Sequence, residues 1–199
     1  MAHKCAVVFD FGGVLMKTID YSPRHAWDQR LGLPEGSVER VVHGIPEWRA
    51  AQTGTLSLAD YWQAVAQHLN LDQDLVNQLA EDFYSGDMLD TTLINYVNTL
   101  RQNGHPVALL SNDSPALKDR LRTLGIDHLF DPLVISACIG VMKPDPAAYQ
   151  AVLQGRSPEN AIFIDDLPAN IEGARALGIT SVLYTAGMDL PGTLAPMLS

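Results

Sequence analysis

Short apolar runs alternate with helical segments along most of this chain, and this alternation constrains the fold more than any other feature of the sequence. A brief run rich in Val, Ile and Leu is typical of a strand that is buried on both faces. Strands that alternate with helices imply a parallel sheet covered on both sides. The five predicted strands cover residues 5–9, 107–110, 133–135, 161–164 and 181–184.

The helical segments between these runs carry recognisable start and stop residues. We predict one helix with Ser114 as its N-cap, Pro115 at its first position and Gly125 as its stop. Two further helices are predicted, one opened by Asp145 and one over residues 170–177. The predicted fold is therefore α/β, with a doubly wound, Rossmann-like parallel sheet at its core.

The stretch over residues 17–85 interrupts this alternation, because its apolar residues keep a helical spacing and no strand-like run occurs in it. One apolar stripe follows a capping pattern that begins at Ser57, and a second stripe lies in the next helix. We therefore expect a core domain formed by residues 1–16 and 86–199, with an inserted helical cap subdomain over 17–85. Four aromatic side chains are expected to pack inside the cap: Trp27, Trp48, Tyr61 and Trp62.

Charge and hydropathy exclude several classes of partner. The 199 residues include 13 basic and 23 acidic ones, for a net charge of −10, and the basic residues form no cluster. Binding to a nucleic-acid backbone needs such a cluster, so no nucleic-acid partner is expected. No segment approaches the ~18 continuous apolar residues of a membrane span, and residues 1–4 lead into the first strand without a signal-peptide core. We expect a cytoplasmic monomer or homodimer with no membrane partner.

Polar side chains follow four of the predicted strands. In an open parallel sheet, functional residues gather beyond the carboxyl ends of the strands. Two single residues lie at such positions, Asp10 after the first strand and Lys143 beyond the third, together with the pairs Ser111 and Asn112 after the second and Asp165 and Asp166 after the fourth. Each of them has an ordinary structural explanation alone, but their occurrence at four successive strand ends indicates a site.

These residue types suit phosphoryl transfer. A carboxylate such as Asp10 can act as a nucleophile and form an aspartyl-phosphate, while Ser111 and nearby backbone N–H groups hold phosphate oxygens. Lys143 would neutralise the charge that develops at phosphorus. Mg²⁺ prefers oxygen ligands, so Asp10 and Asp166 could share such an ion.

Four motifs in this order resemble those of the haloacid dehalogenase superfamily, and specifically its small phosphatases with a helical cap after the first strand. The motifs are FDFGGVL at 9–15, LSN at 110–112, VMKPD at 141–145 and FIDDLPANIEGARALG at 163–178, and the resemblance covers essentially the whole chain. It implies the following roles: Asp10 as nucleophile and metal ligand, Ser111 and Asn112 as phosphate-binding residues, Lys143 as the group that stabilises the intermediate, Asp166 as a Mg²⁺ ligand, and Asp165 as its support at the metal site.

Gly12 is the position at which the chain departs from that family pattern. Most phosphatases of the family carry a second aspartate there, whose carbonyl binds the metal and whose side chain protonates the leaving group. The glycine carbonyl keeps the metal contact, but general acid catalysis, worth roughly 10² to 10⁴ in rate, is lost. His25 and His43 are the nearest replacement acids by sequence, although packing is the more ordinary role for both.

The missing acid indicates a class of substrate. An anomeric sugar hydroxyl is more acidic than an ordinary alcohol, so a sugar 1-phosphate loses its leaving group more easily. The sequence is similar to the α-D-glucose-1-phosphate phosphatases, which also have glycine at this position, and to the phosphatase half of soluble epoxide hydrolases. The predicted partner is a small phosphorylated metabolite, with a sugar 1-phosphate as one candidate.

Two other functions stay open at this point. A 2-haloacid dehalogenase also lacks the second aspartate, but it needs no metal, and Asp165 and Asp166 would then repel each other without a cation between them. A weakly active or non-catalytic ligand-binding protein of the same fold is the second alternative, and only Gly12 favours it. A decayed site would be expected to lose Asp10 or Lys143 as well, and both are present.

Overall fold

The computed structural model describes residues 4–198. The prediction that residues 1–4 lead into the first strand therefore concerns positions of which only residue 4 is described. The strands are β1 Ala6–Phe9, β2 Met16–Thr18, β3 Asp87–Leu89, β4 Val107–Ser111, β5 Leu133–Ile135, β6 Ala161–Asp165 and β7 Thr180–Leu183. The helices are α1 Ser22–Arg30, α2 Ser37–Gly44, α3 Pro46–Gln52, α4 Leu58–Leu69, α5 Gln73–Phe83, α6 Thr91–Gln102, α7 Leu117–Thr123, α8 Ser136–Ile139, α9 Pro146–Leu153, α10 Pro168–Ala176 and α11 Leu190–Leu194.

The main sheet has five strands in the order β5-β4-β1-β6-β7, and all of its neighbours pair in parallel. Successive residues of a strand point to opposite faces, so each strand supplies two apolar layers. In β1, Val7 and Phe9 belong to the core on one face, whereas Val8 belongs to the core on the other. The predicted doubly wound α/β fold and its five strands are confirmed.

Helices α1 to α5 lie between β2 and β3 and share a separate hydrophobic cluster. The four aromatic residues predicted to pack there do so, and the ring centroids of Trp48 and Tyr61 are 5.1 Å apart. The expected absence of strands from 17–85 is wrong at its first residues, because β2 pairs with β3 in antiparallel register, Met16 opposite Leu89. Strands this short carry no periodicity that a sequence pattern can reveal. The division into a core and a cap domain stays a prediction.

The start of α7 differs from the prediction. The helix begins at Leu117, and Ser114 does not cap it. Instead, the N–H of Ser114 donates a hydrogen bond to Oδ1 of Asp113, 2.6 Å away, and the next residues form a tight turn in which Leu117 N–H bonds to the carbonyl of Ser114. By contrast, Asp145 caps α9 as expected, since its side chain accepts a hydrogen bond from Ala147 N–H.

The helices described for residues 4–198 include none with the length and apolar character needed to cross a membrane.

Candidate active site

The carboxyl ends of β4, β1 and β6 bring the predicted residues together at one edge of the sheet. Asp10 directly follows β1, Ser111 is the last residue of β4, and Asp165 is the last residue of β6. These three strands are neighbours in the sheet, so their ends are only a few ångströms apart. Lys143 reaches the same edge from the loop that precedes α9.

Lys143 is the centre of this cluster. Its ammonium nitrogen lies 2.8 Å from Oδ1 of Asp10 and 2.6 Å from Oδ2 of Asp165, and only 1% of its side chain is exposed. A buried charge is tolerated only when it is paired and hydrogen-bonded. The two carboxylates therefore hold the lysine head at a defined place, directly beside the predicted nucleophile.

Asp10 is buried, and the surrounding charges act on it in opposite directions. The pKa of its carboxyl is raised to about 7, chiefly by burial; the charge of Lys143 opposes this rise, and the neighbouring Asp165 adds to it. Oδ1 of Asp10 accepts hydrogen bonds from Lys143 and from the N–H of Phe11. Its second oxygen has no hydrogen bond within the part of the chain that the structure describes, which leaves one oxygen of this carboxylate available for chemistry.

Asn112 has both ends of its side-chain amide engaged with the backbone of Lys143. Its Nδ2 donates to the carbonyl of Lys143 at 2.9 Å, and its Oδ1 accepts from the N–H of Lys143 at 2.8 Å. Asn112, the residue predicted to bind phosphate, thus uses its side chain to fix the loop that carries the lysine. Any contact of Asn112 with phosphate would come from its backbone N–H group. Ser111, in contrast, is buried and its hydroxyl forms no hydrogen bond within residues 4–198.

Asp165 has a supporting position. It is completely buried, and its carboxylate accepts hydrogen bonds from Lys143, from Leu167 N–H and from the side-chain amide of Asn170. These bonds occupy both of its oxygens and favour the supporting role over direct metal binding. Asn170 was not predicted as a site residue. Its only sequence signal is a polar side chain one turn into a helix that must pack against the sheet.

Three carboxylates could hold a cation. One oxygen from each of Asp10, Asp165 and Asp166 lies within 4.8 Å of the others. Burial raises the pKa of Asp166, and the nearby Asp165 raises it further, so the ionised site needs more positive charge than Lys143 supplies. An all-oxygen donor set of this kind fits Mg²⁺. Because Asp165 is occupied by hydrogen bonds, Asp10 and Asp166 are the carboxylates best placed to bind such an ion.

Gly12 has no group that could donate a proton, and its surroundings leave room for one. It forms a bridge with Met16 in the turn that follows β1, and a β-carbon built on Gly12 would meet no atom within 4 Å. The absence of a carboxyl there is therefore not imposed by steric crowding.

The two histidines proposed as replacement acids make their contacts within the helical segment. Nε2 of His25 lies 3.7 Å from Glu35, and His43 packs against the rings of Trp48, Phe83 and Tyr84. Burial lowers the pKa of His43, and the charge of Arg24 lowers it further. Packing therefore accounts for the contacts of His43.

The helical segment reaches the site through the end of α3. Nε2 of Gln52 donates to the carbonyl of Asn112 at 2.8 Å, and the hydroxyl of Ser136 donates to the carbonyl of Gln52 at 2.6 Å. Asp113, the residue after Asn112, is half-buried near Tyr84, and desolvation of its carboxyl raises the pKa of that group to about 6. Neither Gln52 nor Ser136 has a sequence signal of its own, because a polar residue at a helix end has many ordinary explanations.

Three comparisons relate the chain to known proteins. It is 30% identical over 190 residues to a phosphatase of Mycobacterium tuberculosis, with 89% of this chain and 86% of that protein covered. It is 28% identical to bifunctional epoxide hydrolase 2 of Sus scrofa over 89% of this chain, but spans only 36% of that protein. The structure also superimposes, with a TM-score of 0.79 and 20% sequence identity, on the crystal structure of a HAD family enzyme from Bacteroides thetaiotaomicron in complex with magnesium and inorganic phosphate. The match covers 96% of this chain and 98% of that one.

The family assignment depends on a match to most of the sequence. A family model described as haloacid dehalogenase-like hydrolase matches residues 6–178, which include all four motifs and every candidate site residue. The fold and the arrangement of strand-end residues agree with this match. The chain belongs to the haloacid dehalogenase-like hydrolase family.

Proposed function

We propose that this protein is a Mg²⁺-dependent phosphomonoester hydrolase that acts through an aspartyl-phosphate intermediate on Asp10. The observation that carries the proposal is the contact of Lys143 Nζ with Asp10 at 2.8 Å, inside a cluster of three carboxylates. The phosphatase relative and the magnesium and phosphate complex of the Bacteroides enzyme support it. The substrate is proposed to be a small phosphorylated metabolite in the cytoplasm.

Asp10 would carry out the first step. A carboxylate oxygen attacks phosphorus and forms a new O–P bond, while the bond from phosphorus to the leaving-group oxygen breaks and its electron pair stays on that oxygen. Lys143, which lies 2.8 Å from Asp10, would neutralise the negative charge that develops on the phosphoryl group, and the hydroxyl of Ser111 with the N–H of Asn112 would hold phosphoryl oxygens. The leaving-group oxygen takes a proton from solvent water, since Gly12 supplies none. In the second step, a water oxygen bonds to phosphorus and releases a proton to solvent, while the O–P bond to Asp10 breaks and its electron pair restores the carboxylate.

A magnesium ion would be held by the carboxylates of Asp10 and Asp166 and by the carbonyl of Gly12, with Asp165 in support. When bound, it would neutralise charge on the phosphate. The residues already described fit this role, because their oxygens form a buried anionic set that one ammonium group does not balance.

The leaving group defines the proposed substrate class. Since Gly12 has no proton to donate, the departing oxygen must leave with little help. A sugar 1-phosphate meets this condition better than a 6-phosphate, because the anomeric hydroxyl is the stronger acid. A small phosphate ester of this kind would lie between the strand-end residues and the helical cap that we propose for 17–85.

The proposal is tested by phosphate release from α-D-glucose 1-phosphate and from glucose 6-phosphate, with Mg²⁺ and after chelation. We expect Mg²⁺-dependent release that favours the 1-phosphate, and none from the variant Asp10→Asn. Undiminished release by Asp10→Asn would refute the aspartyl-phosphate mechanism. Halide release from a 2-haloacid, insensitive to chelation and without phosphatase activity, would instead identify a dehalogenase. Binding of phosphate esters without any turnover would indicate the non-catalytic alternative.

A further inference from the structure

The end of α3 rests on the core at a point next to the reacting groups. Gly54 follows the helix with φ +72°, and a β-carbon on it would lie 2.3 Å from the carbonyl oxygen of Ala137. Only glycine permits so close an approach in that backbone conformation. Two hydrogen bonds join the same segment to the core, from Gln52 to the carbonyl of Asn112 and from Ser136 to the carbonyl of Gln52.

These contacts continue without interruption to the reacting carboxylate. Gln52 bonds to the backbone of Asn112, and the side chain of Asn112 bonds to both backbone groups of Lys143. The ammonium group of Lys143 then bonds to Asp10. A residue of the helical segment is thereby connected to the nucleophile through three successive polar contacts, each between 2.8 and 2.9 Å long.

We infer that Gln52 is a positioning residue, which couples the seating of the helical segment on the core to the placement of Lys143 beside Asp10. The inference rests on the proposed phosphatase function. Gln52 acts on the reaction only through Asn112 and needs no contact with substrate. When the helical segment is not seated, Asn112 loses this restraint and the backbone at Lys143 becomes less well ordered, so full reactivity requires the seated arrangement.

Ser136 forms a second link between the end of α3 and the segment that follows β4. Its hydroxyl is fully buried, accepts a hydrogen bond from Asp113 N–H at 3.0 Å and donates to Gln52. The two residues that follow Ser111 are therefore both tied to the end of α3, one through Gln52 and one through Ser136. A helix end that served only to cover the site would not need bonds to two successive residues of this strand end.

The first test is the variant Gln52→Met, which keeps the length of the side chain but removes the donor. We expect kcat to fall about tenfold, the change that corresponds to one hydrogen bond, with little change in KM. The fall is expected to be equal for acetyl phosphate and for a sugar phosphate, because Lys143 serves both. Gln67→Met, on the exposed face of α4, is the matched control and should leave kcat unchanged. A loss confined to KM, or to the sugar phosphate, would overturn the inference.

A double-mutant cycle tests the route through Asn112. In an Asn112→Ala background the link to Lys143 is already broken, so the further change Gln52→Met is expected to alter kcat by less than about twofold. Multiplication of the two single effects would show that Gln52 acts independently and would overturn the inference.

A measurement without turnover separates this inference from the proposed function. The N–H of Lys143 bonds to Oδ1 of Asn112, so its hydrogen exchange reports on the junction directly. We expect faster exchange of this N–H in Gln52→Met than in Gln67→Met, at equal global stability. Unchanged exchange would overturn the inference. Failure of the wild-type protein to release phosphate from any ester would count against the proposed function alone.

Discussion

Asp166 packs its carboxylate directly against the backbone of Gly13, so closely that a β-carbon on Gly13 would lie 2.1 Å from Oδ2 of Asp166. Gly13 also has φ +76°, a conformation that side chains with a β-carbon rarely adopt. The second glycine after β1 thus creates the space in which an acidic side chain from the end of β6 can lie. Its neighbour Gly12 has no such restriction, because nothing lies within 4 Å of its β-carbon position.

We therefore expect Gly13→Ala to displace Asp166 and to weaken Mg²⁺ binding by about tenfold or more. The strained backbone should also lower the free energy of unfolding by roughly 1–3 kcal/mol. Calorimetric Mg²⁺ titration and urea unfolding measure the two effects. Gly12→Ala is the matched control and should retain both affinity and stability. Equal affinity in the two variants would contradict the close packing of Asp166 as the cause.

Replacement of Lys143 by Met removes the only ammonium group that pairs with Asp10 and Asp165 within residues 4–198. Two buried carboxylates would then lose their positively charged partner, and we expect the free energy of unfolding to fall by about 3 kcal/mol or more at pH 8. The loss should be smaller at pH 5, where Asp10 can take up a proton. The exposed residue Lys118 on α7 provides the control Lys118→Met, and an equal effect of both changes would refute this expectation.

Introduction of an acid at Gly12 tests the leaving-group argument. Gly12→Asp fits sterically, because the position faces open space, and we expect it to speed hydrolysis of alkyl phosphates more than that of sugar 1-phosphates. The measurement is kcat/KM for α-D-glucose 1-phosphate and glucose 6-phosphate in the wild type and the variant. Gly12→Asn, which has the same shape but is a much weaker acid, is the control. A larger gain for the 1-phosphate would refute the argument.

Asp113 should make stability depend on pH. Burial raises the pKa of its carboxyl to about 6 in the folded protein, whereas an unfolded aspartate titrates near 3.9. The protonated form is favoured on folding, so its contribution is fully present below pH ~4 and is lost as pH rises through about 6. Asp113→Asn keeps an acceptor for Ser114 N–H but cannot ionise, and we expect it to be more stable than the wild type at pH 8.

The expected gain is on the order of 2 kcal/mol at pH 8 and should vanish near pH 3.5. This gain is measured by urea unfolding of the wild type and of Asp113→Asn at both pH values. Titration of the other groups cancels when the free energy of unfolding of the wild type is subtracted from that of the variant at the same pH. A gain that is the same at both pH values would show that ionisation of Asp113 is not the cause.

Local sequence patterns were enough to predict the parallel sheet and the polar residues at its strand ends. Apolar runs such as 161–164 are shorter than a typical helix and are bounded by turn residues, which favours buried strands, and parallel strands bring their carboxyl ends to one edge. The juxtaposition of Asp10, Lys143 and Asp166 therefore followed from local patterns and from their order along the chain. The small sheet of β2 and β3 could not be predicted, because strands of three residues have no periodicity.

The contacts that each polar side chain makes at that edge depend on the three-dimensional packing of the elements. Asn112 is a phosphate ligand in the motif reading, yet its amide is occupied by the backbone of Lys143, and Asp165 is occupied by Asn170 and Leu167. Gln52 is distant in sequence and reaches Asn112 only after the helical segment has folded onto the core. Hydrogen bonds between residues far apart in sequence depend on how whole elements pack, and no local pattern records that packing.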